Sequence, residues 1–158
     1  MLRTARLDLR PISPDDVEVV VAVYGDPETM TTMPWRLLPD RAAAEAWLED
    51  RLSDLADTGH GYSVVTDRAG TLIGLCGFMP RGEQFEIGWV ICEPHSGSGF
   101  ATEAAAAVVS SASDRAIFAA IRPGNLASIR VAEKIGLHFD REDQDEHGPL
   151  LVYRNATY

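Results

Sequence analysis

The chain has 158 residues, 46% of them hydrophobic and 24% charged, the size of one compact soluble domain expected to span 1–158. No run approaches the ~18 apolar residues of a membrane helix, and Met1 to Thr4 lack the apolar stretch that opens a signal peptide. With 24 acidic against 14 basic side chains and a net charge of -10, the surface repels phosphate backbones and anionic lipid heads, so neither nucleic-acid nor membrane partners are expected.

The same charge would attract a cationic partner, or simply keep the chain soluble. Cys76 and Cys92 stand alone, without a CxxC pair or clustered histidines. Neither a metal site nor a disulfide framework is expected, and a reducing cytoplasm is the default compartment.

In chain order, Arg6 to Arg10 alternates apolar Leu7 and Leu9 with polar neighbours and predicts a half-buried strand. Ser13-Pro14-Asp15-Asp16 supplies an N-cap, a proline at the first helical position and early acids. A helix bearing Val17, Val20, Val21 and Tyr24 is expected to run from there to about Gly25. Asp26 to Pro39 is irregular. Asp40 caps a second helix with an apolar face of Ala44, Trp47, Leu48, Leu52 and Leu55. Tyr62–Thr66, Thr71–Met79 and Gln84–Cys92 then predict an antiparallel three-stranded meander, broken at Asp67-Arg68-Ala69-Gly70 and Arg81-Gly82. Gly97-Ser98-Gly99 opens an Ala-rich helix from Ala101 to about Ser111. Arg115–Ile121 is a buried strand, and Leu126–Ile135 is a helix closed by Gly136. Leu137–Arg141 and Leu150–Arg154 form a last strand pair around an acidic loop. The whole is a mixed α/β domain.

The segment that carries chemistry is Glu86-Ile87-Gly88-Trp89-Val90-Ile91, followed by Ser96-Gly97-Ser98-Gly99-Phe100-Ala101-Thr102-Glu103-Ala104. A strand, a glycine-rich turn and a helix start converge there, gathering unpaired backbone N–H groups suited to a phosphate. It is neither a GxGxxG fingerprint, since Thr102 holds the third glycine place, nor a P-loop, since no Gly-Lys-Ser/Thr follows. On its own the turn also admits the reading of a ligand-free connection.

A second block, Arg122-Pro123-Gly124-Asn125 through Glu133-Lys134-Ile135-Gly136, follows in order. Together the two blocks resemble the acyl-CoA-binding motifs of the Gcn5-related N-acetyltransferases (GNAT), in particular the branch of ribosomal-protein alanine N-acetyltransferases. Leu7-Asp8-Leu9-Arg10-Pro11, Leu72-Ile73-Gly74 and Gly77-Phe78 also sit where that family has them, so the resemblance covers nearly the whole chain. It implies a mostly antiparallel central sheet flanked by helices and acetyl-CoA as cosubstrate. Trp89, Val90 and Ile91 would lend backbone groups to the pantetheine arm. Gly97, Ser98, Gly99, Ala101 and Thr102 would cradle the pyrophosphate, with Asn125 on the pantetheine. Two positions depart from the pattern: Ser96 replaces a Gln or Arg that reaches toward the pyrophosphate, and Leu137 replaces an aromatic. Arg130, one turn along the second helix, is the candidate to restore charge.

Acetyl transfer needs a neutral amine. Neutralising a peptide α-amine of pKa ~8 at pH 7 costs about 1 kcal/mol, against about 4.6 for a lysine near ~10.4, so a modest base suffices for the former. Glu86 is the candidate base, its bland alternative a solvent-facing strand carboxylate. A backbone N–H near Ile91 is placed to polarise the thioester carbonyl. Many relatives carry a tyrosine acid where this chain has Ala132. Ser128 is the remaining donor, unless it bonds its own helix backbone. Trp35 is the candidate for an acceptor pocket. The expected activity is acetyl transfer to a primary amine, on a peptide N-terminus or a small cationic amine, in a ternary complex. The competing expectation is a catalytically silent acyl-CoA-binding module. Monomer and homodimer are equally open.

Overall fold

In the computed structural model, which describes residues 1–156, the chain begins with two short strands, β1 (Leu2–Arg3) and β2 (Leu7–Pro11). Helices α1 (Val17–Tyr24) and α2 (Arg41–Thr58) follow, with a 3-10 turn at Pro34–Arg36 between them. Next come β3 (Tyr62–Asp67), β4 (Leu72–Arg81), β5 (Gln84–Ile91), α3 (Phe100–Ser110), β6 (Ile117–Ile121), α4 (Leu126–Lys134), β7 (His138–Asp145) and β8 (Gly148–Arg154). One eight-stranded sheet has the order β1-β2-β3-β4-β5-β6-β8-β7, and every neighbouring pair is antiparallel except β5 with β6.

Side-chain alternation in the strands sends two apolar sets to opposite faces. On one face, Ala104, Ala105 and Val108 of α3 and Val131 and Ala132 of α4 pack on Leu7, Leu9, Val65, Phe85, Ile87 and Ile117. Alanines in α3 bring its backbone close to the sheet. On the other face, Val20, Val23 and Tyr24 of α1 and Ala44 and Leu48 of α2 cover Tyr62, Val64, Leu75, Met79 and Val90. Leu7 and Leu9 have no exposed surface, which is worth about 2 kcal/mol each by area removed from water.

The parallel contact is brief: Phe85 pairs with Ile117 and Glu86 with Phe118, and the ladder goes no further. β4 meanwhile stays in register with β5 from Gln84 to Ile91. From Ile87 onward β5 is therefore a strand with one occupied edge and one open edge. No helix among the described residues is long and apolar enough to cross a membrane.

Two expectations about local structure are corrected. Helix α1 starts at Val17 with Asp16 at its N-cap position, and Pro14 lies in the preceding turn. The cause is tertiary. Asp16 accepts a bidentate pair from Arg10 (2.9 and 2.8 Å) and the Ser13 N–H (2.7 Å), closing a turn that delays the helix. The acidic stretch Glu142–Asp145 is not loop but the second half of β7, paired along β8 from Leu151 to Gly148. All eight residues of this edge strand are exposed, so its pattern lacks the apolar alternation that reveals a half-buried strand.

Asp16 is 5% exposed, and the Arg10 hydrogen bonds hold its carboxyl below the ordinary 3.8 against the upward push of burial. Its contribution to stability is thus fully present above pH 3.8 and is lost as pH falls through the lowered value. Asp16→Ala should lower stability at pH 7 by about 2 kcal/mol, or roughly 4–8 °C in Tm. The gap from the parent protein should narrow in melts taken progressively below pH 4.

Candidate functional site

The site is built where β5 loses its neighbour. Phe85 donates its N–H to the Ala116 carbonyl on the β6 side (2.9 Å), and Cys92 donates to Ile73 on the β4 side (2.8 Å). Strand alternation then turns the backbone groups of Ile87, Trp89 and Ile91 to the open edge. Those of Val90 point into the β4 ladder: its carbonyl lies where a Cβ on Gly74 would be, 2.1 Å away. Of the three residues proposed from sequence for a pantetheine arm, Trp89 and Ile91 offer backbone groups, and Val90 offers only its side chain.

Beyond β5, a 3-10 turn at Glu93–His95 leads into Ser96 to Gly99. Gly97 (φ 77°) and Gly99 (φ 81°) are both left-handed, a conformation costly for any other residue. No side chain caps α3, so its first N–H groups remain available, and the alternating backbone forms an anion-binding concavity. The turn is anchored from the N-terminus. Arg6 donates to the Ser98 carbonyl (2.9 Å) and to Glu103 (2.7 Å), and lies over the Phe100 ring at 4.4 Å. Thr4 donates to the same carboxylate at 2.6 Å. Burial pushes the Glu103 carboxyl up, but the bonds from Thr4 and Arg6 outweigh it and hold it below the ordinary range. The Ser96 hydroxyl is turned back onto the Glu93 carbonyl (2.7 Å).

A cavity of about 360 Å³ runs from this turn along the open edge, between the Glu28–Met33 segment and the start of α4. Ser96, Gly97, Gly99, Ala101 and Thr102 line it, with Trp89, Val90 and Ile91 and with Asn125 and Ser128. Asn125 caps α4 by accepting the Ser128 N–H (3.2 Å), which leaves its amide nitrogen to offer a ligand. The Ser128 hydroxyl has no hydrogen bond to the helix backbone among the described residues. Arg130 is exposed and outside this lining, because it projects from a different face of α4 than Ser128.

A second cavity, of about 390 Å³, opens on the α1/α2 face and contains Tyr24, Trp35, Tyr62, Met79 and Glu86. The two cavities share Met33, Trp89, Val90, Asn125 and Ser128, and meet there, through the gap between β5 and β6. Glu86 is 8% exposed and takes an ion pair from Arg81 at 3.0 Å, so it is not a solvent-facing strand carboxylate. Trp35 stacks on His147 (5.1 Å between centroids) and lies under Arg122. Burial pushes both the Tyr24 and Tyr62 phenols up, Tyr62 well above 10, with Arg36 pulling the other way. Neither tyrosine is marked by its sequence surroundings. Only the close approach of Tyr62 to Gly88 reveals what that glycine is for. Burial also drives the Cys76 thiol up to about 12, while Cys92 is half-buried. Among the described residues no group of His, Cys, Asp or Glu side chains is arranged to hold a metal.

This arrangement has known counterparts. Residues 6–138 match the acetyltransferase (GNAT) domain, and the chain belongs to that family. It is 32% identical to the uncharacterized protein YkkB of Bacillus subtilis, covering 99% of this chain and 96% of that one. The fold superposes on a putative GNAT-family acetyltransferase from Bordetella pertussis with a TM-score of 0.84 at 24% identity, covering 98% of both chains. It also superposes on RimL, a ribosomal L7/L12 alpha-N-protein acetyltransferase solved in complex with coenzyme A, with a TM-score of 0.82 at 14% identity, covering 96% and 94%.

A Cβ at Gly88 would lie 2.3 Å from the Tyr62 hydroxyl. Gly88→Ala should therefore cost about 1–3 kcal/mol of stability. In a Tyr62→Phe background, which removes the obstructing oxygen, urea unfolding should show most of that cost gone.

Proposed function

We propose that the chain is an N-acetyltransferase that moves the acetyl group of acetyl-CoA onto a primary amine while both are bound. The observation that carries this is the meeting of the two cavities at Trp89 and Ser128. One leads from an uncapped, glycine-rich helix start, and the other contains a buried carboxylate. The residues fit the cofactor: a two-glycine concavity suits a pyrophosphate, and an unpaired strand edge suits an amide-bearing arm. Gly97, Ser98, Gly99, Ala101 and Thr102 form the cradle, and the backbone of Trp89 and Ile91 with the Asn125 amide receives the arm. The helix start supplies the positive potential, so Arg130 is not required.

Glu86, oriented by Arg81, takes the ammonium proton directly or through a water. The exposed N–H of Ile91 hydrogen-bonds the thioester oxygen as negative charge develops there. Ser128 donates to the departing sulfur, since Ala132 has no proton to give. The acceptor is a peptide N-terminus or a small amine, because an α-amine is the easier group to neutralise near pH 7.

Acetyl-CoA at 100 times its Kd should stabilise the protein by about 2.7 kcal/mol, several degrees in a melt. Glu86→Gln should keep that shift and lose roughly 10²–10⁴ in turnover, read by free CoA. A silent binding module would show the shift with no turnover to lose. No shift at millimolar acetyl-CoA overturns the cofactor site.

A further inference from the structure

The acceptor cavity carries a charge opposite to that of the protein. Seven ionisable side chains of formal charge at neutral pH line it: Glu86, Asp143 and Asp145 against Arg36, Arg81, Arg122 and Arg141. Each carboxylate has an arginine within ion-pair distance. Arg81 holds Glu86 at 3.0 Å and Arg122 holds Asp145 at 2.7 Å. Arg141 donates to Asp140, just outside the cavity lining, at 2.8 Å and lies 3.6 Å from Asp143. The Arg122 hydrogen bond keeps the Asp145 carboxyl down at about 2. Arg36 is left over, with no ion pair to any carboxylate among the described residues. In a chain of net charge -10, the one unmatched charge of this cavity is positive.

Building on the acetyltransferase reading above, we infer that the acceptor is a small amine that also bears a carboxylate, and that Arg36 binds that carboxylate. A polyamine would bring two or more cations to a cavity whose three carboxylates each have an arginine within ion-pair distance already. A single guanidinium matches a carboxylate in charge and in its two-pronged geometry, whereas a phosphate dianion would call for a second one. The position suits the role. Arg36 lies in the 3-10 turn next to Trp35, on the cavity that holds Glu86. Its field is felt by the buried Tyr24 and Tyr62 hydroxyls on the cavity wall. A volume of about 390 Å³ is in the range of small-molecule sites. Arg36 is thus a binding and specificity residue, and Glu86 remains the base.

The test compares the common amino acids with the matching decarboxylated amines (phenylalanine with phenethylamine, tyrosine with tyramine, lysine with cadaverine) and with spermidine. Turnover is read by free CoA for the parent protein and for Arg36→Ala. The carboxylated member of a pair should be preferred by about tenfold in kcat/KM, as for one charge-assisted hydrogen-bonding pair. Arg36→Ala should abolish the preference, mainly through KM, and leave the acetyl-CoA melting shift unchanged. Equal or better use of the decarboxylated amines or of spermidine overturns the inference, as does a preference that survives Arg36→Ala. If no amine is turned over although acetyl-CoA binds, the catalytic reading fails separately. Binding of the N-acetylated amino acids in the presence of CoA, followed by melting shift, then decides. Loss of that binding in Arg36→Ala upholds the carboxylate site, and absence of binding in the parent protein overturns it.

Discussion

The parallel pairing of β5 with β6 lasts for only two residues, and the opening in the middle of the sheet follows from it. Had β5 and β6 stayed paired, each backbone group of Trp89 and Ile91 would have a ladder partner and the sheet would be a closed wall. Because they part after Glu86 and Phe118, the sheet has a gap in its middle, and each face can reach the other through it. β5 can bear this because its other edge is bound to β4 along its full length and α3 packs across its Phe85 and Ile87. β6 is likewise held from its far side by β8, from Phe118 to Ile121. The opening is a feature of the topology, kept open by strands that are secured elsewhere.

At the glycine-rich turn an acidic chain gathers positive potential without a basic side chain. Lys134 is the only lysine, and the turn from Ser96 to Gly99 contains no basic residue. Positive potential at that point comes from uncapped peptide N–H groups and from the two left-handed glycines that aim them. Arg6, the nearest guanidinium, is committed to Ser98 and Glu103, so it shapes the turn. Charge drawn from the backbone is fixed in direction and costs no side-chain entropy when a ligand arrives. The second cavity works on another plan, with arginine side chains on its wall, all but Arg36 within ion-pair distance of a carboxylate.

Much of this was legible in the sequence, for reasons that differ by element. Leu7 and Leu9 alternate cleanly, Asp40 caps α2 through the Ala43 N–H, and the glycine-rich turn announces the α3 start. Such signals are local. The meander from β3 to β5 is equally plain because tight turns fix its pairing. What escaped is long-range. The start of α1 is set by Arg10, six residues before Asp16. β1 is two residues long, too short to show a period. β7 is an edge strand whose acids look like loop because neither face is buried. The two motif blocks marked residues that line the first cavity, while Trp35 alone pointed to the second. Arg36 was its neighbour, and only the pairing of every other charge around the cavity singles it out.

The two cysteines have a practical consequence. With its thiol pushed up to about 12 and no exposed surface, Cys76 stays a thiol at pH 7, and thiolate is the form that alkylates. Cys92 is half-accessible, at the end of β5 and one residue before the Glu93–His95 turn. The wild-type chain therefore behaves toward a maleimide or a fluorinated alkylating tag as a protein with a single cysteine. It can carry a fluorophore or a ¹⁹F label at the end of β5 without a substitution, although burial raises this thiol as well and slows its alkylation.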